Sequence, residues 1–340
     1  MIHATAIAAT FAALLALAPG VAQANMGDVE VKRVTQFGGA CAKCELSGRK
    51  LAGAQFMGAN FSGATLVGSD LRTAKFIGSN FSGADLSRAD LSDAEMMGAN
   101  FGGANLTSAK LRSAAARGVM FGSAIMIKAD LSDLEATGSN FQRANLQGAI
   151  LRAIDAAGGM FGDANLTRAN LTDADFSGGN FIRANLQGAI LRAVEMNGAN
   201  LSKVTAQGAD FRDAELSSAN MTHGNFDKAV FRGAELRRAV LTGGSFAGAD
   251  FRDAELRQAM IAGVDLSTAR GLNQDQLDEA CGDSRTRLPA GLAVKTCSNV
   301  RMIVRKVAPP VRVSPVMPPS PPSPPSPPSP PTPRYVVSVE

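Results

Sequence analysis

From Leu46 onward the chain places an apolar residue at every fifth position. Leu46, Leu51, Phe56, Phe61, Leu66, Leu71 and Phe76 open a series that runs without insertion to Leu266. Its 45 positions include Met96, Met126, Met196, Met221 and Ile261, and shrink to Ala at Ala116, Ala136, Ala156 and Ala206. Two residues before each stands a small one, usually Ala, as in Ala84-Asp85-Leu86 and Ala89-Asp90-Leu91. A period of five matches neither the helix (3.6) nor the strand (2), so the pattern predicts a backbone that turns a corner in every repeat.

The number of corners per turn is also written in the sequence. Asn60-Phe61-Ser62-Gly63 recurs at Asn80, an offset of 20; the block starting at Ala144 recurs at Ala184 and the block starting at Gly208 recurs at Gly248, both offsets of 40. All are multiples of four repeats. Sorted by that step, positions 61, 81, 101, 121, 141, 161 and 181 are all Phe, and those from 51 to 191 are all Leu. Like side chains then stack on like, as in parallel coils lying one on another.

These residues resemble the pentapeptide repeat family, with consensus A(D/N)LXX, over residues 44–270. The resemblance implies an all-β fold, a right-handed quadrilateral parallel β-helix, in which the central residue and the one two before it point inward. Volume compensation supports this independently: where the centre shrinks to Ala136, Ala156 or Ala206, the position two earlier grows to Leu134, Ile154 or Val204. At four repeats per coil the series gives about eleven coils, a rod roughly 50 Å long at about 4.8 Å per coil. Pro is absent between Pro19 and Pro289, as a continuous ladder of backbone hydrogen bonds requires. Open ends need covers. Residues 25–43 are read as the N-terminal cap, using the run 29–34 (VEVKRV) with Cys41 and Cys44. Residues 271–300 are read as the C-terminal cap, with a short helix over 273–280, Asn273 as N-cap and Gln276 reciprocating.

The flanks differ in character. Residues 4–18 form an apolar run too short to cross a bilayer comfortably, followed by Ala22-Gln23-Ala24. This predicts a signal peptide over 1–24, cleaved between Ala24 and Asn25, and export, most simply to the periplasm. Cys41, Cys44, Cys281 and Cys297 would then meet an oxidising compartment, with one disulfide in each cap. Cys41 and Cys44 have redox-motif spacing, but Cys44 occupies an inward position, which favours a structural role; the two pairs lie too far apart along the rod to share a metal, and no metal site is expected. Residues 301–340 read as a basic and proline-rich disordered tail: Arg301, Arg305, Lys306 and Arg312 precede 14 prolines between 309 and 333.

Charge and composition narrow the chemistry. The chain carries 34 basic and 30 acidic residues, but 24 and 23 within residues 41–270, so the body is neutral. With no Trp and one Tyr, base-stacking platforms have little to be built from, and no nucleic-acid partner is expected. The only histidines are His3 and His223, and neither has a nucleophile beside it; no catalytic residue and no cofactor is expected. The outer faces say more. Arg72, Arg112, Arg152 and Arg192 continue as Arg212, Arg232 and Arg252 on one face, where Asp93, Asp133 and Asp173 fall on the intervening coils. That pattern predicts a self-neutralising ladder in the lower rod. Above residue 211 the added Arg237, Arg238 and Arg257 are read as surplus positive charge. Arg212, Arg232, Arg237, Arg238, Arg252 and Arg257 are therefore the candidate partner-binding residues. Asn60, Asn80, Asn100, Asn140, Asn180, Asn200 and Asn220 are read as an amide ladder between coils.

Together these features predict a non-enzymatic exported scaffold of the cell envelope, contacting an envelope protein or an anionic polymer. The mature chain would have no transmembrane segment. The alternative is a relative of those family members that imitate DNA and bind type II topoisomerases; the neutral body and the signal weigh against it.

Overall fold

A computed structural model describes residues 39–297. The backbone runs as a stack of coils in which every fifth residue forms a parallel bridge to the residue twenty later, from Ala40↔Asn60 through Asp250↔Arg270. Each coil therefore has four sides of five residues. Along each side the central N–H donates to the coil above, as Leu66 N does to Asp85 O at 2.7 Å, while Thr65 N returns to Cys44 O below at 2.8 Å. No side is longer than one bridge, because a corner follows at once.

The corner explains the composition of the last two positions of the repeat. The second residue after each centre has φ near +60° at every repeat from Lys43 (φ 60) to Gly263 (φ 70). A left-handed residue turns the chain through about a quarter revolution, and Gly adopts it without the roughly 1–2 kcal/mol that a Cβ costs. Ala153 (φ 50) and Ala193 (φ 49) carry that cost with no polar side chain to offset it. Ala153→Gly is expected to raise stability by about 0.5–1 kcal/mol, seen as a higher urea midpoint at unchanged slope. Gly148→Ala (φ 63, with only Lys128 Cγ nearby at 3.8 Å) should cost a similar amount through strain alone.

The interior is continuous. Central residues from Phe61 to Leu266 are buried, as are Leu134, Ile154 and Val204 beside Ala136, Ala156 and Ala206, so the inward and outward assignment and the exchange of volume both hold. The Phe column stacks face to face, with ring centroids 4.9 Å apart for Phe61 and Phe81, 4.8 Å for Phe81 and Phe101, and 4.7 Å for Phe161 and Phe181. Above residue 200 the aromatic stacks change side, to Phe211, Phe231 and Phe251 and to Phe226 and Phe246. Buried Ser139 keeps its hydroxyl paired, donating to Ala116 O at 2.6 Å and accepting from Val119 N at 3.0 Å.

After the last repeat comes helix α1 (Gln274–Leu277), with reciprocal bonds between Asn273 and Gln276. The Gln276 amide also donates to Phe251 O and Ala254 O, both at 2.8 Å, and Leu277 is fully buried. Strands β1 (Cys281–Gly282) and β2 (Lys295–Thr296) then pair in parallel. Cys281 is bridged to Cys297 with Cα atoms 4.8 Å apart, and Cys41 to Cys44 at 5.2 Å. Among the described residues no helix is long and apolar enough to cross a membrane. The signal segment, its cleavage point at Ala24 and Asn25, the run 29–34 and the tail 301–340 lie outside the described residues.

Candidate binding surface

Only three positions of each repeat face outward: the bridge residue before the centre and the two corner residues after it. Stacking at intervals of twenty turns each of these into a column along the rod.

The bridge residue works first on its own corner. Asn60, Asn140, Asn180, Asn200 and Asn220 each accept, through Oδ1, the backbone N–H two residues ahead, at 2.8–3.1 Å. This turn-capping bond explains why Asp and Asn recur at that position. It also corrects the reading of these asparagines as one amide ladder: bonds between coils in this column are confined to Asn60–Asn80 at 3.4 Å and Asn80–Asn100 at 3.3 Å. In both, the Oδ1 that caps its own corner also accepts from the amide of the coil above.

The arginines are neutralised, but mostly by other partners than the spacing suggested. Arg152 meets Asp173 at 3.7 Å, whereas Arg72 pairs with Asp70 at 2.7 Å, Arg112 with Asp130 at 2.5 Å and Arg192 with Asp210 at 2.6 Å. Asp93 and Asp133 form no ion pair among the described residues. The bridge residue supplies the carboxylate in the three shorter pairs, and the second corner residue supplies it for Arg152. Asp210 shows the balance of forces: burial acts to raise its pKa, yet hydrogen bonds from Arg212 and Arg192 outweigh it and bring the carboxyl to about 2.

The same geometry corrects the expectation of surplus arginine above residue 211. Arg212 pairs with Asp210 at 2.6 Å, Arg232 with Asp253 at 3.5 Å and Arg252 with Asp250 at 2.5 Å. Arg237 is held by Glu235 and by Glu255 at 3.1 Å, and Arg257 by Glu279 at 3.3 Å. Arg238 alone of the six candidates has no carboxylate partner among the described residues; its Nε donates to Gln258 Oε1 at 2.9 Å. The six do not form one patch. Arg212, Arg232 and Arg252 occupy one corner, while Arg237, Arg238 and Arg257 occupy the next and line a cleft of about 400 Å³ with Ser217, Ser218 and Gln258.

Sequence reasoning missed the most uniform column of all. Glu135, Asp155, Asp175, Glu195, Glu215, Glu235 and Glu255 are bridge residues of successive coils, each paired through its backbone to the next. Sorting bridge residues at intervals of twenty would have revealed them. Arg117 meets Glu135 at 2.8 Å and Arg237 serves the upper end, but Asp155, Asp175 and Glu195 have no basic partner among the described residues. The Glu195 carboxyl is pushed above its ordinary pKa, first by burial, then by Asp175 and Glu215. That penalty is present above the raised pKa and is relieved as pH falls below the ordinary carboxylate range. Glu195→Gln is therefore expected to stabilise the rod by about 0.2–1 kcal/mol at neutral pH, and the gain should vanish in acid melts. A gain independent of pH would show that charge is not its source.

No group of three or more His, Cys, Asp or Glu is placed to hold a metal among the described residues. His223 sits exposed at a left-handed corner (φ 57).

The twenty-residue parallel repeat with four corners and a filled interior defines a β-helix solenoid. The chain belongs to the pentapeptide repeat family, whose sequence profiles match residues 41–76, 54–93, 74–112, 117–152, 161–192, 195–233 and 226–270; the solenoid is accordingly right-handed. Among solved structures, it is similar to HetL, a pentapeptide repeat protein involved in heterocyst differentiation regulation in the cyanobacterium Nostoc, with 27% identity over 69% of this chain and 86% of that one (TM-score 0.44). A pentapeptide repeat protein of the Arabidopsis thaliana thylakoid lumen is 31% identical over 30% of this chain and 68% of its own (TM-score 0.24). QnrB1, a plasmid-mediated fluoroquinolone resistance protein, is 20% identical over 68% of this chain and 94% of its own (TM-score 0.25). No curated protein matches the chain.

Proposed function

We propose that the protein is a non-enzymatic, exported scaffold of the cell envelope, a rod of about eleven coils that displays columns of charge to protein or polymer partners. The helix α1 and the bridged Cys281–Cys297 segment close its C-terminal end in this reading. The observation that carries it is the arrangement of polar side chains. The carboxylates from Glu135 to Glu255 run along one side and Arg192, Arg212, Arg232 and Arg252 along a neighbouring corner, instead of converging on a reacting centre. Such a surface suits an elongated partner that makes weak contacts repeated at the coil spacing. Export is carried by the leader pattern and by the two bridged cysteine pairs. Cell fractionation with mass spectrometry of the purified chain tests it. The expected result is an envelope fraction, an N-terminus at Asn25 and no free thiol without reduction; an intact Met1 on a cytoplasmic chain with four free thiols overturns it.

The unpaired middle of the carboxylate column favours a second reading, a DNA-like acidic face that binds a type II topoisomerase. A cytoplasmic chain that inhibits such an enzyme, and loses inhibition on Glu195→Lys with Glu215→Lys, would select it.

A further inference from the structure

Two clefts of comparable size lie on neighbouring corners of the rod. One, of about 320 Å³, is lined by Arg112, Ser132, Asp133, Arg152 and Ala153. Asp133 puts a carboxylate in its wall, and Arg112 and Arg152 are already engaged by Asp130 and Asp173. The wall carboxylate makes that cleft the poorer of the two for an anion.

The cleft at Arg237, Arg238 and Arg257 is built differently. None of its six lining residues is acidic. Glu235, Glu255 and Glu279 hold Arg237 and Arg257 without lining the cleft, and so orient two guanidiniums beside it. Arg238 uses only Nε, on Gln258 Oε1, which leaves both Nη groups for a ligand. A planar guanidinium with two free N–H2 groups matches the paired oxygens of a phosphate or sulfate. Ser217 also lines the cleft, but its hydroxyl oxygen is closed off from solvent. Ser218, exposed at the corner, is the residue that brings a hydroxyl to the wall. Donors on several sides call for a ligand with oxygens on several sides, which a tetrahedral anion has and a planar carboxylate lacks.

We propose that this cleft binds a tetrahedral oxyanion, a phosphate or sulfate group, with Arg238 as its principal ligand and Ser218 as a hydroxyl contact. The inference deepens the scaffold reading by naming the group it would recognise, and it rests on that reading only for the notion that something is bound there. The group can arrive as a free ion or as an ester on a larger molecule.

The test is calorimetric titration of the full chain with inorganic phosphate and, separately, with glycerol phosphate. Saturable binding of phosphate is expected, weakened at least about tenfold by Arg238→Gln and unchanged by Arg152→Gln in the other cleft. Gln258 already occupies the same corner position at φ 58, so glutamine fits the backbone of residue 238. Ser218→Ala gives a second line of evidence: the exposed corner hydroxyl supports no packing, so the melting temperature should hold while binding weakens. Binding of both probes marks a group read on larger molecules; binding of the free ion alone marks an ion site. Failure to saturate in the millimolar range, equal affinity in Arg238→Gln, or equal loss in Arg152→Gln overturns the proposal. None of these results bears on where the chain resides, so the export reading stands or falls separately.

Discussion

Replacing Phe121 by alanine is expected to cost about 3–5 kcal/mol. The ring is fully buried, with centroids 5.4 Å from Phe101 and 4.9 Å from Phe141. Its removal leaves a void that the column cannot close, because the coils above and below are held apart by backbone ladders: Phe101 N donates to Met120 O and Phe121 N to Asn140 O, both at 2.7 Å. A cavity whose walls cannot move inward carries the full cost of lost transfer energy and lost contacts. Ser123→Ala, at the exposed left-handed corner two residues on, removes no buried surface and leaves the same φ strain, so it should cost less than about 0.5 kcal/mol. Chemical denaturation of both variants decides the matter; similar losses would refute the division into inner and outer positions.

The second large effect is expected at the other end of the chain, from Cys281→Ser combined with Cys297→Ser. The bridge closes a loop of sequence separation 16, for which the loss of unfolded-state constraint is worth about 3 kcal/mol. The segment it ties down completes the last ladder: Leu266 N donates to Arg287 O at 2.7 Å, Arg287 N to Val264 O at 3.0 Å and Cys297 N to Gly282 O at 3.0 Å. Leu288, Leu292 and Val294 pack half-buried against the core. Because each coil of a solenoid touches only its neighbours, the loss should be local. Hydrogen exchange should quicken at Leu266 and Arg287 and stay slow at Phe141; uniform acceleration along the rod would contradict this. Cys41→Ser should matter less, since its bridge spans a separation of only 3.

Much of this architecture is legible in the sequence because the interior obeys one rule at every repeat. The five-residue period, the twenty-residue stacking of Phe61 to Phe181 and the exchange of volume at Leu134, Ile154 and Val204 are all consequences of a shared interior of fixed width, and spacing alone exposes them. The surface is less legible. Whether Asn140 reaches up a coil or forward to the Gln142 N–H is decided by a hydrogen bond of 2.8 Å, not by a period. Arg212 is adjacent to Asp213 and two residues from Asp210 in sequence, yet the side-chain direction at the corner selects Asp210. The acidic column was hidden for a different reason. A neutral total of charge says nothing of how the charges are sorted among four sides.

The uniformity of the corners has a further consequence for how such a rod can change in length. Every corner from Lys43 to Gly263 holds a residue in the same left-handed conformation, and every side has the same five-residue span, so the backbone does not distinguish one side from the next. Excising a whole coil, residues 101–120 for instance, brings Phe121 onto Phe81 and leaves every column in phase. Excising only residues 116–120 keeps an apolar interior but turns all that follows by a quarter revolution: Glu135 then takes the place of Asp130, and its column rises above Lys110 and Asp90 instead of Glu95. The direction in which a charged face looks, relative to the rest of the rod, is thus a discrete quantity with four values, adjustable in steps of five residues without redesigning the core.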